Sequence, residues 1–322
     1  MGCTPPKWTI HDLRQHLQYA VDLEFWTIPF YMSAMYSIKD PTDDAYRLIQ
    51  SVVYEEMLHA ELASNVANAF GHSPKFPAPA YEGTEIPHLN FNLDSPNPTE
   101  VYTPYSAEIG PLDEKRINSM CLIEYPEWDT GHQPDLQPKM SDYGSIGEFY
   151  DAVRVGAAEL AEEQLRGGRN QVDLFRNFYR ELAQTVTDDG RAGLAQALTI
   201  IAAITEQGEG QTEGDVDIQP EFRNTADGYH SDWPHFRKFT AIRDSGRFPA
   251  TYAGVADPKP GSPGHAAQRT LIRNFTAFRK TLEALFSGGD LGAFGAQMAT
   301  LGANVLTCWQ QGAIPKFSQE GE

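Results

Sequence analysis

Residues 52–70 read Val-Val-Tyr-Glu-Glu-Met-Leu-His-Ala-Glu-Leu-Ala-Ser-Asn-Val-Ala-Asn-Ala-Phe. Their apolar positions recur at three- and four-residue steps, which predicts a helix. Val52, Glu56, His59, Ala63, Val66 and Phe70 fall on one face of it, so a carboxylate and an imidazole three residues apart stack over one point on the side that turns to the core. A buried carboxylate left alone is several kcal/mol unfavourable and must be protonated, paired or bound to a metal. Glu55, about 100° round the helix from Glu56, is expected to face away. Asp40-Pro41-Thr42-Asp43-Asp44 supplies the cap, an early proline and acidic residues at the start, and Gly71 suits the position just past the end.

The segment before it repeats the anomaly. From Thr9 to Ile38 the stripe Leu17, Ala20, Glu24, Ile28, Tyr31 predicts a long amphipathic helix, kinked at Pro29, with Glu24 at the middle of its inward face. Two long helices with a short connection pack antiparallel. One lone glutamate facing a Glu-x-x-His is the half-site from which carboxylate-bridged dinuclear centres in helix bundles are built.

A second half-site is needed. Ile204-Thr205-Glu206-Gln207-Gly208-Glu209-Gly210 ends a predicted helix over 189–207 and carries Glu206 and Glu209 three apart, with glutamate where histidine is expected. Two carboxylates at a helix C-terminus oppose its dipole, which calls for a cation nearby. The imidazole is sought in His235, which opens a helix after Asp232 and Pro234; His230, on the preceding loop, is expected to lie outside the site. For the lone carboxylate the candidate is Glu148, although Ser145-x-x-Glu148 also reads as a capping box. Glu159, Glu162 and Glu124 are the alternatives.

Between the halves, residues 72–140 hold half of the chain's 22 prolines and scattered aromatic residues, Phe76, Tyr81, Phe91, Tyr102, Tyr105 and Trp128 among them. This is an irregular insertion with one regular stretch, Asp113–Tyr125, expected to fold over an end of the bundle and shape a substrate cavity. Helices are further expected over 145–165, 171–185, 233–243, 266–286 and 290–310. The chain is all-α.

Composition narrows the function classes. With 44 acidic against 25 basic residues the formal charge is −19, a field that repels nucleic acid and anionic membrane surfaces. No apolar run approaches the roughly 20 residues of a membrane helix. Cys3, Cys121 and Cys308 form no zinc spacing and leave one unpaired in any disulfide scheme, as in a reduced, cytoplasmic protein. The N-terminal segment lacks the apolar stretch of a leader, and Pro6 disfavours myristoylation.

Glu24, Glu-Glu-Met-Leu-His at 55–59, Ser-Ile-Gly-Glu-Phe-Tyr at 145–150, Glu-Gln-Gly-Glu-Gly at 206–210 and His-Phe-Arg-Lys-Phe at 235–239 together resemble the ferritin-like domain of the iminophenylpyruvate dimer synthase family, known from violacein-type bisindole pathways. The resemblance spans about residues 10–243. It implies a single ferritin-like helical bundle over 1–322, with the insertion and extra C-terminal helices. It also implies a metal centre held by Glu24, Glu56, His59, Glu148, Glu206, Glu209 and His235. The family's enzyme is a longer chain of which this domain is one part, so the metal centre carries over more readily than the reaction. The oxygen and nitrogen donors suit two metal ions, iron first and manganese second. The expected activity is a redox reaction on a small organic substrate. The rival readings are metal storage without catalysis, and a metal-free scaffold whose carboxylates pair with Arg154, Arg169 or Arg191. A homodimer is among the assemblies the sequence leaves open.

Overall fold

A computed structural model describes residues 7–94, 96–126, 142–209, 217–226, 229–290, 292 and 294–319. Eight α-helices and no strand occur among them: α1 (Ile10–Ser37), α2 (Asp44–Ala69), α3 (Glu114–Ile123), α4 (Ile146–Gln164), α5 (Gly190–Gly208), α6 (His235–Asp244), α7 (Pro263–Leu285) and α8 (Phe294–Gln310). The ends are set by local chemistry. Thr9 and Asp12 close a reciprocal capping box on α1, Asp43 caps α2, and Gly71 takes φ +75° just beyond α2, the left-handed conformation that glycine adopts without strain.

The long pair α1–α2 packs against the pair α4–α5, α1 on α4 and α2 on α5. These four helices are the bundle. α3, inside the insertion, and α6 pack on each other, and α6 also lies on α2. The C-terminal pair α7–α8 covers the other flank, where Trp309 Nε1 donates to the Ser33 carbonyl at 2.9 Å. The described part of the insertion is ordered against α1: Trp26 Nε1 donates to the Ala80 carbonyl at 2.7 Å and Tyr81 Oη to the Trp26 carbonyl at 2.8 Å. Between them lies a cleft of about 720 Å³ lined by Trp26, Phe91, Tyr105 and acidic residues such as Asp22 and Glu85. Trp128 lies outside the described residues.

One expected helix is absent. Residues 171–185 form turns, because their backbone groups are claimed by side chains of α2 before an intrahelical ladder can form. Asn65 Nδ2 donates to the carbonyls of Val172 and Gln184, both at 2.7 Å, and its Oδ1 accepts from the Val172 N–H at 2.9 Å. Glu61 Oε2 accepts from the Leu174 N–H at 2.9 Å. The apolar spacing that suggested a helix instead buries Val172, Tyr179 and Leu182 one at a time.

Candidate metal centre

Glu24 from α1, Glu56 and His59 from α2, Glu124 from the C-terminal end of α3 and His235 from the first position of α6 meet inside the bundle, each 3 % exposed or less. Glu56, His59 and His235 each offer a ligand atom within 4.8 Å of the others. The helical three-residue step brings Glu56 and His59 over the same point. Glu56 Oε1 then stands between two imidazoles, 2.9 Å from His235 Nδ1 and 3.8 Å from His59 Nδ1. On the outer sides, Glu24 Oε2 is 3.5 Å from His59 Nδ1 and Glu124 Oε2 is 3.5 Å from His235 Nδ1.

Both rings are anchored by their far nitrogen. His59 Nε2 donates to Gln207 Oε1 at 2.8 Å, and the Gln207 amide is itself oriented by donating its N–H to the Phe222 carbonyl. His235 Nε2 faces Glu55 Oε2 at 3.1 Å, and the buried Lys238 ammonium holds that same oxygen at 2.6 Å. Fixing Nε2 as the protonated nitrogen leaves Nδ1 of each ring to face the carboxylates, the tautomer that a metal ligand requires. The carboxylates are held too: Thr27 donates to Glu56 at 2.6 Å, Tyr150 to Glu24 at 2.6 Å and Tyr31 to Glu124 at 2.7 Å.

The electrostatics show a surplus of negative charge. Four buried carboxylates, Glu24, Glu55, Glu56 and Glu124, face one buried lysine. Burial raises Glu55, but the ammonium of Lys238 and the His235 ring outweigh it and bring its carboxyl down to about 2. Glu56 goes the other way, pushed up to about 7 by burial and by Glu124, against the pull of the two histidines. Burial lowers both imidazoles, yet hydrogen bonds and charges from Glu24 and Glu56 raise His59, and those from Glu124, Glu55 and Glu56 raise His235 well above the usual range. Protons gather where a cation would neutralise the cluster.

The remaining sequence candidates stand at the start of α4 and the end of α5. Glu148 stays in the first turn of α4, where its N–H donates to the Ser145 hydroxyl and its carboxylate accepts from the Gly144 N–H at 2.8 Å. The carboxylate beside His235 is that of Glu124, from the insertion. Glu209 lies buried against α4: a Cβ on Gly147 would sit 2.6 Å from Glu209 Oε2. Glu206 is half-buried on the same turn of α5. Neither belongs to the group formed by Glu56, His59 and His235. Gly208 has a matching reason, since a Cβ there would meet Glu124 Oε2 at 3.0 Å. His230 stacks on Trp233 at 3.9 Å between ring centres, outside the cluster.

Glu55 does not face away. It is 1 % exposed and grips His235. Its burial follows from the docking of α6 onto a second side of α2, which the stripe of α2 alone does not signal. Gln207, Lys238, Tyr31, Tyr150 and Thr27 were likewise missed, although Lys238 stands three residues after His235 on the same face. The three arginines of the scaffold reading do not reach the cluster. Arg154 pairs with Asp151 at 2.5 Å, Arg191 with Glu162 at 3.3 Å, and Arg169 lies beside Gly71.

A family model described as Ferritin-like matches residues 17–244. Among solved structures, a ferritin-like protein from Caulobacter vibrioides is 51 % identical, with a TM-score of 0.87 over 98 % of this chain and 100 % of that one. No functionally curated protein matches. The chain belongs to the ferritin-like family. No helix among the described residues is long and apolar enough to cross a membrane.

Proposed function

We propose that the chain is a dinuclear metal protein, iron before manganese, that carries out a redox reaction on a small organic substrate. The observation that carries this reading is the placing of Glu56 between two imidazoles whose outer sides each have a further carboxylate. His59 with Glu24 would hold one ion, His235 with Glu124 the other, and Glu56 would bridge them. The donor set fits: buried oxygen and nitrogen ligands, no thiolate among them, and negative charge in excess of the local cations.

Such ions, when bound, supply electrons to an oxidant or to the substrate. The chain's own part is positional and protective. Gln207 and Glu55 keep each Nδ1 directed inward, Tyr31, Tyr150 and Thr27 hold the carboxylates by hydrogen bonds, and the closed helices exclude bulk water. The cleft between α1 and the insertion shares no lining residue with the cluster, so it supports a binding place separate from the ligands.

Metal analysis of gently purified protein, followed by anaerobic Fe(II) and Mn(II) titration, tests the reading. Two equivalents bound, reduced by Glu56→Ala, support it; no uptake of either ion refutes it. Oxygen consumption by the iron-loaded protein only in the presence of an organic substrate separates catalysis from storage.

A further inference from the structure

The two halves of the cluster match in kind in front of their imidazoles. His59 has Glu24 at 3.5 Å, and His235 has Glu124 at 3.5 Å. Each of these carboxylates accepts from one tyrosine hydroxyl, Tyr150 at 2.6 Å for Glu24 and Tyr31 at 2.7 Å for Glu124. Glu56 Oε1 stands between the rings, nearer to His235, and serves both. Behind the rings the match ends. His59 Nε2 meets the side-chain amide of Gln207 at 2.8 Å, whereas His235 Nε2 meets the carboxylate of Glu55 at 3.1 Å. Both lengths are those of ordinary hydrogen bonds, so the difference lies in the acceptor: one is neutral and the other is an ion.

The acceptor behind a ligating imidazole sets how basic the ring is. A carboxylate there draws on the Nε2 proton and pushes electron density toward Nδ1, the nitrogen that would face a cation, and such a partner is worth about 10–100-fold in metal affinity. A neutral amide makes the weaker, uncharged form of the same bond. Glu55 can remain an ion in this buried place because the Lys238 ammonium holds the same oxygen at 2.6 Å, both side chains being at most 1 % exposed. The pair adds no net charge, so its effect is concentrated on the ring it touches. Lys238 stands three residues after His235 on α6, and the helix that brings the ligand therefore also brings the counter-ion of the group behind it.

We propose that the two half-sites are unequal: the one built on His235 and Glu124 binds a divalent cation more tightly than the one built on His59 and Glu24, and fills first, with Glu55 and Lys238 as the positioning pair that sets the difference. This order of occupation rests on the dinuclear reading above.

A second cation is repelled by the first, so the half-sites are compared one at a time. His59→Ala keeps the half built on His235, and His235→Ala keeps the half built on His59; each metal-stripped protein is titrated with Mn(II), the free ion being read by electron paramagnetic resonance. The His59→Ala protein should bind one Mn(II) about 10–100-fold more tightly than the His235→Ala protein. Glu55→Gln together with Lys238→Met removes the ion pair at constant net charge. In the His59→Ala background this should erase the advantage, and in the His235→Ala background it should leave the affinity unchanged, a split that general loosening of the bundle would not produce. Equal affinities in the two single variants, tighter binding in His235→Ala, or an advantage that survives loss of the ion pair would each overturn the proposal. Failure of the unmodified chain to take up Mn(II) or Fe(II) would instead remove the dinuclear reading, and the order of occupation with it. Should the variants without the ion pair not fold, the unmodified chain loaded with Zn(II) decides by proton NMR. The Nε2 proton of His235 should resonate downfield of that of His59, as a charge-assisted bond requires, and the opposite order would overturn the inequality.

Discussion

Glu124 stands beside His235, whereas Glu148 stays at the start of α4. Glu148 follows a serine by three residues at a helix start; its N–H donates to the Ser145 hydroxyl, and its carboxylate accepts from the N–H of Gly144, one residue before the position a reciprocal box would use. Glu124 follows an apolar run and ends a short helix, with nothing local to show that His235 will arrive beside it. Glu148→Ala is therefore expected to lower stability by about 1 kcal/mol with metal content intact, whereas Glu124→Ala should lose metal; unfolding curves and elemental analysis of both variants read the two effects. Glu55 makes the companion case. As the group that orients His235, its change to Ala is expected to weaken metal binding about 10–100-fold, measured by competition with a chelator of known affinity. Glu24, Glu56, His59 and His235 could be read from the sequence because helical periodicity makes an inward charge conspicuous. Their supports could not, because they come from other elements: Gln207 on α5 for His59, Glu55 on α2 for His235 and Tyr150 on α4 for Glu24.

At the level of elements, the helices that matter most were legible to within a few residues because caps, glycines and apolar stripes agree with one another. The failure at 171–185 shows what local pattern omits. There the chain has helical spacing, but Asn65 on α2 offers three hydrogen bonds to its backbone and fixes a turn-rich path instead. Asn65→Leu should leave the two carbonyls and the Val172 N–H unsatisfied and cost about 3 kcal/mol or more, seen as a lower urea midpoint. The same segment carries Leu174, whose N–H binds Glu61, so hydrogen exchange at Leu174 should accelerate in that variant. Gly147 and Gly208 are the element-scale counterpart of the carboxylates: each removes a Cβ where Glu209 or Glu124 packs. Gly208→Ala is expected to displace Glu124 and lower metal occupancy without melting α5.

For the molecule as a whole, the excess of buried carboxylate over cation sets the response to pH. In the metal-free protein Glu56 is raised to about 7 and both imidazoles are raised as well. Groups whose folded pKa exceeds the unfolded one stabilise fully below the unfolded value and lose that stabilisation as pH rises through the folded value. The metal-free protein should accordingly lose stability between about pH 5 and pH 8, by roughly 5 °C or more in Tm. Glu55, at about 2, loses its contribution only as pH falls from the ordinary carboxylate range toward 2. Loaded metal should reverse the first trend, because ligands must shed protons to bind it, and acidification should in turn release metal. Scanning calorimetry of stripped and reloaded protein from pH 5 to pH 8 checks both signs; a stripped protein that gains stability across that window would contradict the charge reading.

The donation of Glu124 by α3 bears on how the chain folds. The groups around the centre stand at positions 24, 56, 59, 124 and 235, so only the α1–α2 hairpin brings its members together early. Closing the rest requires loops that span most of the chain, and long-range closure is slow. A metal ion bound there would therefore join fully only after the insertion has docked and α6 has packed onto α2, and it would then act as a clasp on segments more than two hundred residues apart. Refolding with and without Fe(II) should show the same early rate but slower unfolding in the loaded protein, since the clasp forms after the transition state and must open before the chain comes apart.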